Sequence, residues 1–245
     1  MRIAIVADIH GNLAALEAVE ADIRRRGVGR VVNLGDSLSG PLLPRETAQY
    51  LMGRGWLSLA GNHERQLLTP DPAGMGPSDA YARGQIGESE LAWIRSLAPS
   101  ARLSPSIFLC HGTPAKDSEY FLETVERGRV RPATPAEVEN RLGAERAALV
   151  ACAHTHLARL VCSRGGQLLV NPGSVGLPAY DDVIPEPHVV ETGAPDARYA
   201  IVERGPDGWT VSLVSVSYDF EPMARLAAKR GRPDWERALR TGYVT

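Results

Sequence analysis

At 245 residues, 44% hydrophobic and 23% charged, the chain has the composition of an ordinary globular protein, long enough for one large core. A net charge of −2 excludes a global cationic field for gathering nucleic acid or an anionic membrane, so any anion binding has to be local. No stretch approaches a membrane-spanning helix, the apolar run at residues 3–7 is too short for a secretory signal core, and three cysteines, each inside an apolar run that reads as buried, give no disulfide framework; together these point to the cytoplasm.

In chain order, RIAIVAD (2–8) reads as a strand ending in an acid. The following segment places Leu13, Leu16, Val19 and Ile23 at helical spacing, with Asn12 as N-cap and Gly27 as stop. RVVNLGD (30–36) is a second strand ending in an acid, and PRETAQYLMGRG (44–55) a helix with Pro44 in its first turn. WLSLAGN (56–62) is a third strand, and a helix begins at HERQLL. Proline and glycine make residues 69–79 a loop, after which SELAWIRSLAP (89–99) is helical.

Beyond residue 100 the chain changes character. SIFLCHG (106–112) and AALVACAH (147–154) are apolar strands, and the spacing of Thr134 and Glu137 marks a capped helix between them. LARLVCS and QLLVNPG flank Arg164-Gly165-Gly166 as one hairpin, and RYAIVER and GWTVSLVSVS flank GPDG as another. From Glu221 the chain reads as one or two amphipathic helices, a helical tail over about 220–245. Early βαβ units followed by hairpins, without repeat or linker, predict an α/β chain of two sheets with helices outside, folded as a single domain over 1–245. The proline-containing segment 180–199 is either a rim that selects substrate or a plain surface connection.

Five of the six histidines stand at or just past the end of a predicted strand: His10, His63, His111, His154 and His156. Asp8 and His10, two apart, project from one side of a strand end, and Asp36 and Asn62 occupy equivalent ends. Carboxyl ends of strands are where open α/β sheets bind ligands. Gly11, Gly61, Gly112 and Ala153 beside these residues let backbone approach a crowded centre. The sixth histidine, His188 in IPEPHVV, reads as a surface or structural residue. Two Asp, up to five His and one Asn exceed what a single ion can hold, so two are expected. Imidazole-rich donors suit Mn, Fe, Co, Ni or Zn better than Mg or Ca. Two divalent ions outweigh the charges of Asp8 and Asp36, so the site stays cationic and draws phosphate. Ions about 3.5–4 Å apart generate hydroxide at neutral pH and clamp both oxygens of an in-line displacement.

DIHGN (8–12), GD (35–36), GNHE (61–64), HG (111–112) and AHTH (153–156), in this order, resemble the calcineurin-like metallophosphoesterases. NPGSVG (171–176) extends the likeness to small bacterial phosphodiesterase-like members. The resemblance implies a four-layer αββα sandwich, two mixed sheets flanked by helices. It implies a metal-dependent hydrolase of a small phosphodiester or phosphomonoester, acting by in-line attack of a hydroxide that bridges two ions (Mn, Fe, Ni or Zn, with Mn favoured). It places Asp8, His10 and His156 on one ion, Asn62, His111 and His154 on the other, and Asp36 between both. His63 becomes the non-ligand histidine that stabilises the transition state or protonates the leaving oxygen, catalytic together with Asp36 and Asn62. Asn12 and His63 become the substrate contacts. The family often has Gly where this chain has Ala153.

Rival functions are weaker. A nuclease needs a basic track, and the one tight basic run, Arg24-Arg25-Arg26, ends a predicted helix where cations complement the dipole. Dinucleoside-polyphosphate hydrolases and protein phosphatases usually carry Asp-Arg-Gly after the second motif, where this chain has Ser37-Leu38-Ser39. A metal-free interaction scaffold would have no use for the full ligand set. The sequence leaves the oligomeric state open.

Overall fold

Strand β1 (Arg2–Val6) divides the protein by its alternation: Ile3 and Ile5 face one apolar layer, Ala4 and Val6 another. The computed structural model describes residues 1–69, 74–206 and 208–244. The first sheet runs β14 (Gly208–Val216), β13 (Ala197–Gly205), β1, β2 (Val31–Asn33), β3 (Leu57–Ser58). The second runs β4 (Ser100–Ser104), β5 (Ile107–Cys110), β8 (Leu149–Ala151), β10 (Leu168–Asn171), β9 (Arg159–Cys162). Within them β1, β2 and β3 are parallel, as are β5, β8 and β10, while β13, β14, β4 and β9 pair antiparallel.

The layer between the sheets joins Ile3, Ile5, Val32 and Leu34 to Ile107, Leu109, Leu149 and Val170. On the outer face of the first sheet, helix α1 (Leu13–Arg25) packs Leu16, Val19 and Ile23 onto Ala4 and Val6. On the outer face of the second, α6 (Pro135–Leu142) packs Val138 and Leu142 onto Val150 and Leu169. Each such fully buried aliphatic side chain contributes about 1.5–3 kcal/mol relative to exposure. The result is the αββα sandwich. Its helix starts follow the local chemistry: Asn12 Oδ1 accepts from Ala15 N at 3.1 Å, and Thr134 and Glu137 form the reciprocal capping box.

The remaining elements depart from expectation in informative ways. Helix α2 (Pro44–Met52) starts at the proline, whereas the third strand shrinks to the two residues of β3, with an isolated bridge from Leu59 to Ala98. The chain leaves the sheet at Gly61 to start α3 (Asn62–Leu67). Of the expected loop 69–79, residues 70–73 lie outside the described residues, and 77–79 are the first turn of α4 (Pro77–Gln85), with proline at a first-turn position. Helix α5 (Glu88–Ser96) follows. Strand β4 and two whole hairpins have no counterpart in the sequence reading: β6 (Glu123–Glu126) with β7 (Arg129–Pro132), and β11 (Ala179–Asp182) with β12 (His188–Glu191), which occupies much of 180–199. The tail forms two helices, α7 (Glu221–Lys229) and α8 (Pro233–Thr241), whose Met223, Ala227, Trp235 and Leu239 bury against Leu42, Leu177 and Ala179. Cys110 and Cys152 are buried, but Cys162 is exposed, because β9 is an edge strand whose alternate residues face solvent.

Candidate metal centre

Past the carboxyl ends of β1, β2 and β8 the backbone enters a conformation that L-residues avoid. Asp8 (φ 54°), His10 (51°), Asp36 (54°), His154 (71°) and His156 (59°) are all left-handed. Each such non-glycine residue costs about 1–3 kcal/mol and persists only where its surroundings enforce it. Here the loops enforce one another. Asp8 N donates to Gly35 O at 3.0 Å, His10 N to Asp36 O at 3.1 Å and Gly11 N to Ser37 O at 2.9 Å, continuing the parallel ladder beyond the strands. The buried carboxylate of Glu64 accepts from the backbone N–H of Gly61, Asp36 and Ser37, each at 2.8 Å. A side chain on Gly61 would collide with the Asp36 carboxylate, which explains the glycine.

NPGSVG ties the two sheets together at the same level. Asn171 Nδ2 donates to Ala153 O and Thr155 Oγ1, both at 3.0 Å, and Ser174 Oγ donates to Asp8 O at 2.7 Å. Gly176 N donates to Asp8 O at 3.0 Å, and a Cβ there would strike Ile9 O.

These constraints bring the side chains into two groups, Asp8–His10–His156 and Asp36–His111–His154, each with its donor atoms within 4.8 Å of one another. In the first, His10 Nε2 lies 3.1 Å from His156 Nε2, and Asp8 Oδ1 lies 3.6 Å from His156 Nε2. In the second, His111 Nε2 lies 2.9 Å from Asp36 Oδ2. The groups adjoin, since His111 Nε2 is also 3.9 Å from Asp8 Oδ1. Carbonyl oxygens only accept, so the contacts of Nδ1 with Ser39 O (His10, 2.8 Å), Leu34 O (His111, 3.0 Å) and Leu177 O (His156, 2.7 Å) fix the proton there. Each Nε2 then faces inward, the usual arrangement behind a ligating histidine.

The electrostatics suit a cation. Asp8 is wholly buried with neither carboxylate oxygen hydrogen-bonded, and Asn62 Oδ1 is likewise buried without a partner. Burial, and then the neighbouring Asp36, raise the Asp8 carboxyl to about 8; an adjacent positive ion reverses both effects. Burial, reinforced by His63, lowers His10 to about 4. Burial, reinforced by His111, lowers His154 to about 3, and burial with His10 lowers His156 as well. Neutral imidazoles are the form that binds metal. These donors, two carboxylates, one amide oxygen and four inward imidazoles, fit a pair of divalent transition ions.

His63 stands apart from both groups. Its ring centroid is 5.4 Å from that of His10, and its Nδ1 lies 2.8 Å from Asp79 Oδ1 on α4. Burial opposes its charge, but Asp36 and the Asp79 hydrogen bond outweigh burial and lift its pKa to about 9. Its backbone N–H donates to Asp36 Oδ1 at 3.0 Å. His63 and Asn62 border a cavity of about 840 Å³, together with His10, Asp36, His154 and His156. Trp235 of α8 forms part of its wall, 6.0 Å from the His10 ring.

Asn12 is the exception. Its side chain is fully buried: Oδ1 caps α1, and Nδ2 donates to Gly176 O and Tyr218 Oη, both at 2.9 Å. With every polar atom engaged and none bordering the cavity, it is a scaffold residue rather than a substrate contact. His188 is also structural, with Nδ1 2.7 Å from Glu186 O and Nε2 2.9 Å from Tyr120 Oη. Sequence reasoning missed Glu64, whose place at the third position of α3 lets it accept from the Gly61 N–H, the one half of a capping box that a glycine cap allows. It also missed Asp79, whose partner is 16 residues distant and on another helix.

Comparison with known proteins bears on the fold and the family. Over 264 aligned residues the chain is 25% identical to an uncharacterized protein of Methanocaldococcus jannaschii, covering 95% of this chain and 94% of the relative. A metallophosphoesterase of Sphaerobacter thermophilus shares the fold, with a TM-score of 0.75 at 24% identity over 99% of both chains. So does a hypothetical protein of Pyrococcus horikoshii OT3, with a TM-score of 0.76 at 16% identity over 99% of this chain and 98% of the other. The family model of the calcineurin-like phosphoesterase superfamily domain matches residues 1–192, which carry every candidate ligand, and the chain belongs to that family.

Proposed function

We propose that the protein is a phosphoesterase that works with two divalent transition ions, manganese being the first to assay, and hydrolyses a small phosphodiester or phosphomonoester by in-line attack. Asp8, His10 and His156 would hold one ion and Asn62, His111 and His154 the other, with Asp36 serving both. The observation that carries this reading is the left-handed backbone of five of these residues, a cost a metal-free scaffold would have no reason to maintain. The bound pair supplies Lewis-acid polarisation of the phosphoryl oxygens and lowers the pKa of the attacking water. His63, oriented through Nδ1 by the Asp79 carboxylate, presents Nε2 to the leaving oxygen and would supply the proton that departure requires. Glu64 and the Gly35–Ser37 backbone keep Asp36 in its left-handed turn throughout.

The span 1–245 acts as one domain in this reading, because the C-terminal helices close one wall of the cavity. Three unpaired cysteines fit a reducing compartment, and we place the protein in the cytoplasm. Metal analysis of the purified protein, paired with an assay of bis(4-nitrophenyl) phosphate in added Mn, Ni, Zn and Mg, tests the proposal. Two equivalents of transition metal and metal-dependent turnover are expected. Absence of both would make the protein a binding scaffold.

A further inference from the structure

The cavity is far larger than a phosphoryl group needs, and its mouth is apolar in one place. At the tip of the β11–β12 hairpin Val183 is 68% and Ile184 72% exposed, and both, with Pro185, border the cavity. The turn itself does not call for them: Asp182 Oδ1 already accepts from Val183 N at 2.6 Å and Ile184 N at 3.0 Å. The tip is also held in place. Tyr180 of β11 and Tyr120 share a hydrogen bond of 2.6 Å, Tyr120 reaches His188 of β12, and Gly128 N donates to Glu186 Oε1 at 2.7 Å. Tyr180 in turn packs edge-on against His156, with ring centroids 4.7 Å apart, so the tip is built out from the centre.

Charge along the outer wall limits what the tip can meet. Glu119, Asp181, Asp182 and Asp234 border the same cavity. Arg141 spends its guanidinium on Phe121 O, Glu123 O and Thr124 Oγ1, and Arg232 on Asp234 and Ser78. A second or third phosphate would meet these acids with Lys116 as the one further cation among the described residues of the wall and without the bidentate arginine forks that favour polyphosphates.

Resting on the phosphoesterase reading of the centre, we propose that Val183 and Ile184 form an apolar subsite for the non-leaving arm of a diester that carries a single phosphoryl group and an uncharged organic group. This accounts for exposed aliphatic side chains beside an otherwise acidic rim. It separates the substrate from dinucleoside polyphosphates.

The test compares bis(4-nitrophenyl) phosphate with methyl 4-nitrophenyl phosphate, which share a leaving group and differ only in the other arm. In the Mn-loaded wild type, kcat/KM favours the aryl arm by about tenfold or more beyond the preference that remains in V183D/I184D, which keeps only the part set by the electron-withdrawing arm and the second equivalent leaving group. Calorimetric binding of phenylphosphonate against methylphosphonate gives a readout independent of turnover, with the same preference and the same loss. An equal preference in wild type and variant overturns the subsite, as does a higher kcat/KM for diadenosine tetraphosphate than for bis(4-nitrophenyl) phosphate. If no ester turns over but the phosphonate preference is present and lost in the variant, the hydrolase reading fails and the subsite stands. If neither phosphonate binds, the subsite fails too.

Discussion

The sheet that contains β1, β2 and β3 delivers both carboxylates and the amide of the candidate centre, with His10 and His63, whereas the sheet that contains β5 and β8 delivers imidazoles alone: His111, His154 and His156. Negative charge is therefore concentrated on one side of the cleft. His111 shows the consequence: burial disfavours its charge, yet Asp36, 2.9 Å from Nε2, raises it to about 10, so a ligating His111 would have to give up its Nε2 proton, while burial keeps His154 and His156 neutral. The first sheet supplies the field, and the second supplies the imidazoles that respond to it. The two contributions should fail differently when removed.

Asp36→Asn is the strongest way to break the comparison. Its charge serves both groups, so metal affinity should fall at both positions by more than about a hundredfold, beyond what a neighbour of a ligand commands. His154→Asn on the second sheet should empty one position only; equal losses in the two variants, read by metal analysis, would show that the sheets do not divide the work. His63→Asn should keep both ions and lose about two to four powers of ten in turnover. Unchanged kcat would remove His63 from the chemistry.

Asp79→Asn should cost about ten- to a hundredfold, because it loosens a residue that acts through His63. The same substitution should shift the pH profile. Asp79 helps raise the His63 pKa, and a general acid is lost as pH rises through its pKa, so the basic limb should move to lower pH. A uniform loss at all pH values would leave Asp79 a packing residue. Smallest, and away from the cleft, is Asp22→Asn on α1. Burial opposes the Asp22 charge, but hydrogen bonds from Tyr199, Arg26 and Arg25 hold the carboxyl below its usual range. Its contribution, about 1.5–3 kcal/mol for hydrogen bonds to a charged group, is present above the unfolded value of about 3.9. It is lost as pH falls through the folded value. Chemical denaturation of this variant at pH 7 and under acid should show the deficit at neutral pH and its disappearance in acid, with turnover unaffected.

The floor of the cleft was legible because each part is local: a short apolar run, then Asp, Asn or His beside a small residue. The rim was not. Glu126-Arg127-Gly128-Arg129 makes a tight hairpin with Arg127 and Gly128 both at positive φ, without the Asn-Gly or Asp-Gly signature that advertises one. The β3 strand was over-read because Leu59 and Ala60, apolar and buried or half-buried, continue the run: Leu59 N still donates to Asn33 O at 2.9 Å, but Leu59 bridges only to Ala98 and Ala60 N turns to Ala98 O. Asn12 shows the converse limit: an amide in a functional motif can be spent entirely on holding that motif, and only its three partners reveal this.

The hydroxyl of Ser174 meets the carbonyl of Asp8 across 166 positions of chain, and His10 meets His156 across 146. Contacts so distant in sequence form late, after loop closure has been paid for. A growing polypeptide thus carries Asp8 and His10 for most of its synthesis with no partner sheet to complete the cleft. Assembly of the centre reports completion of the whole sandwich, and a chain that stalls before residue 156 offers stray ions only half a grip.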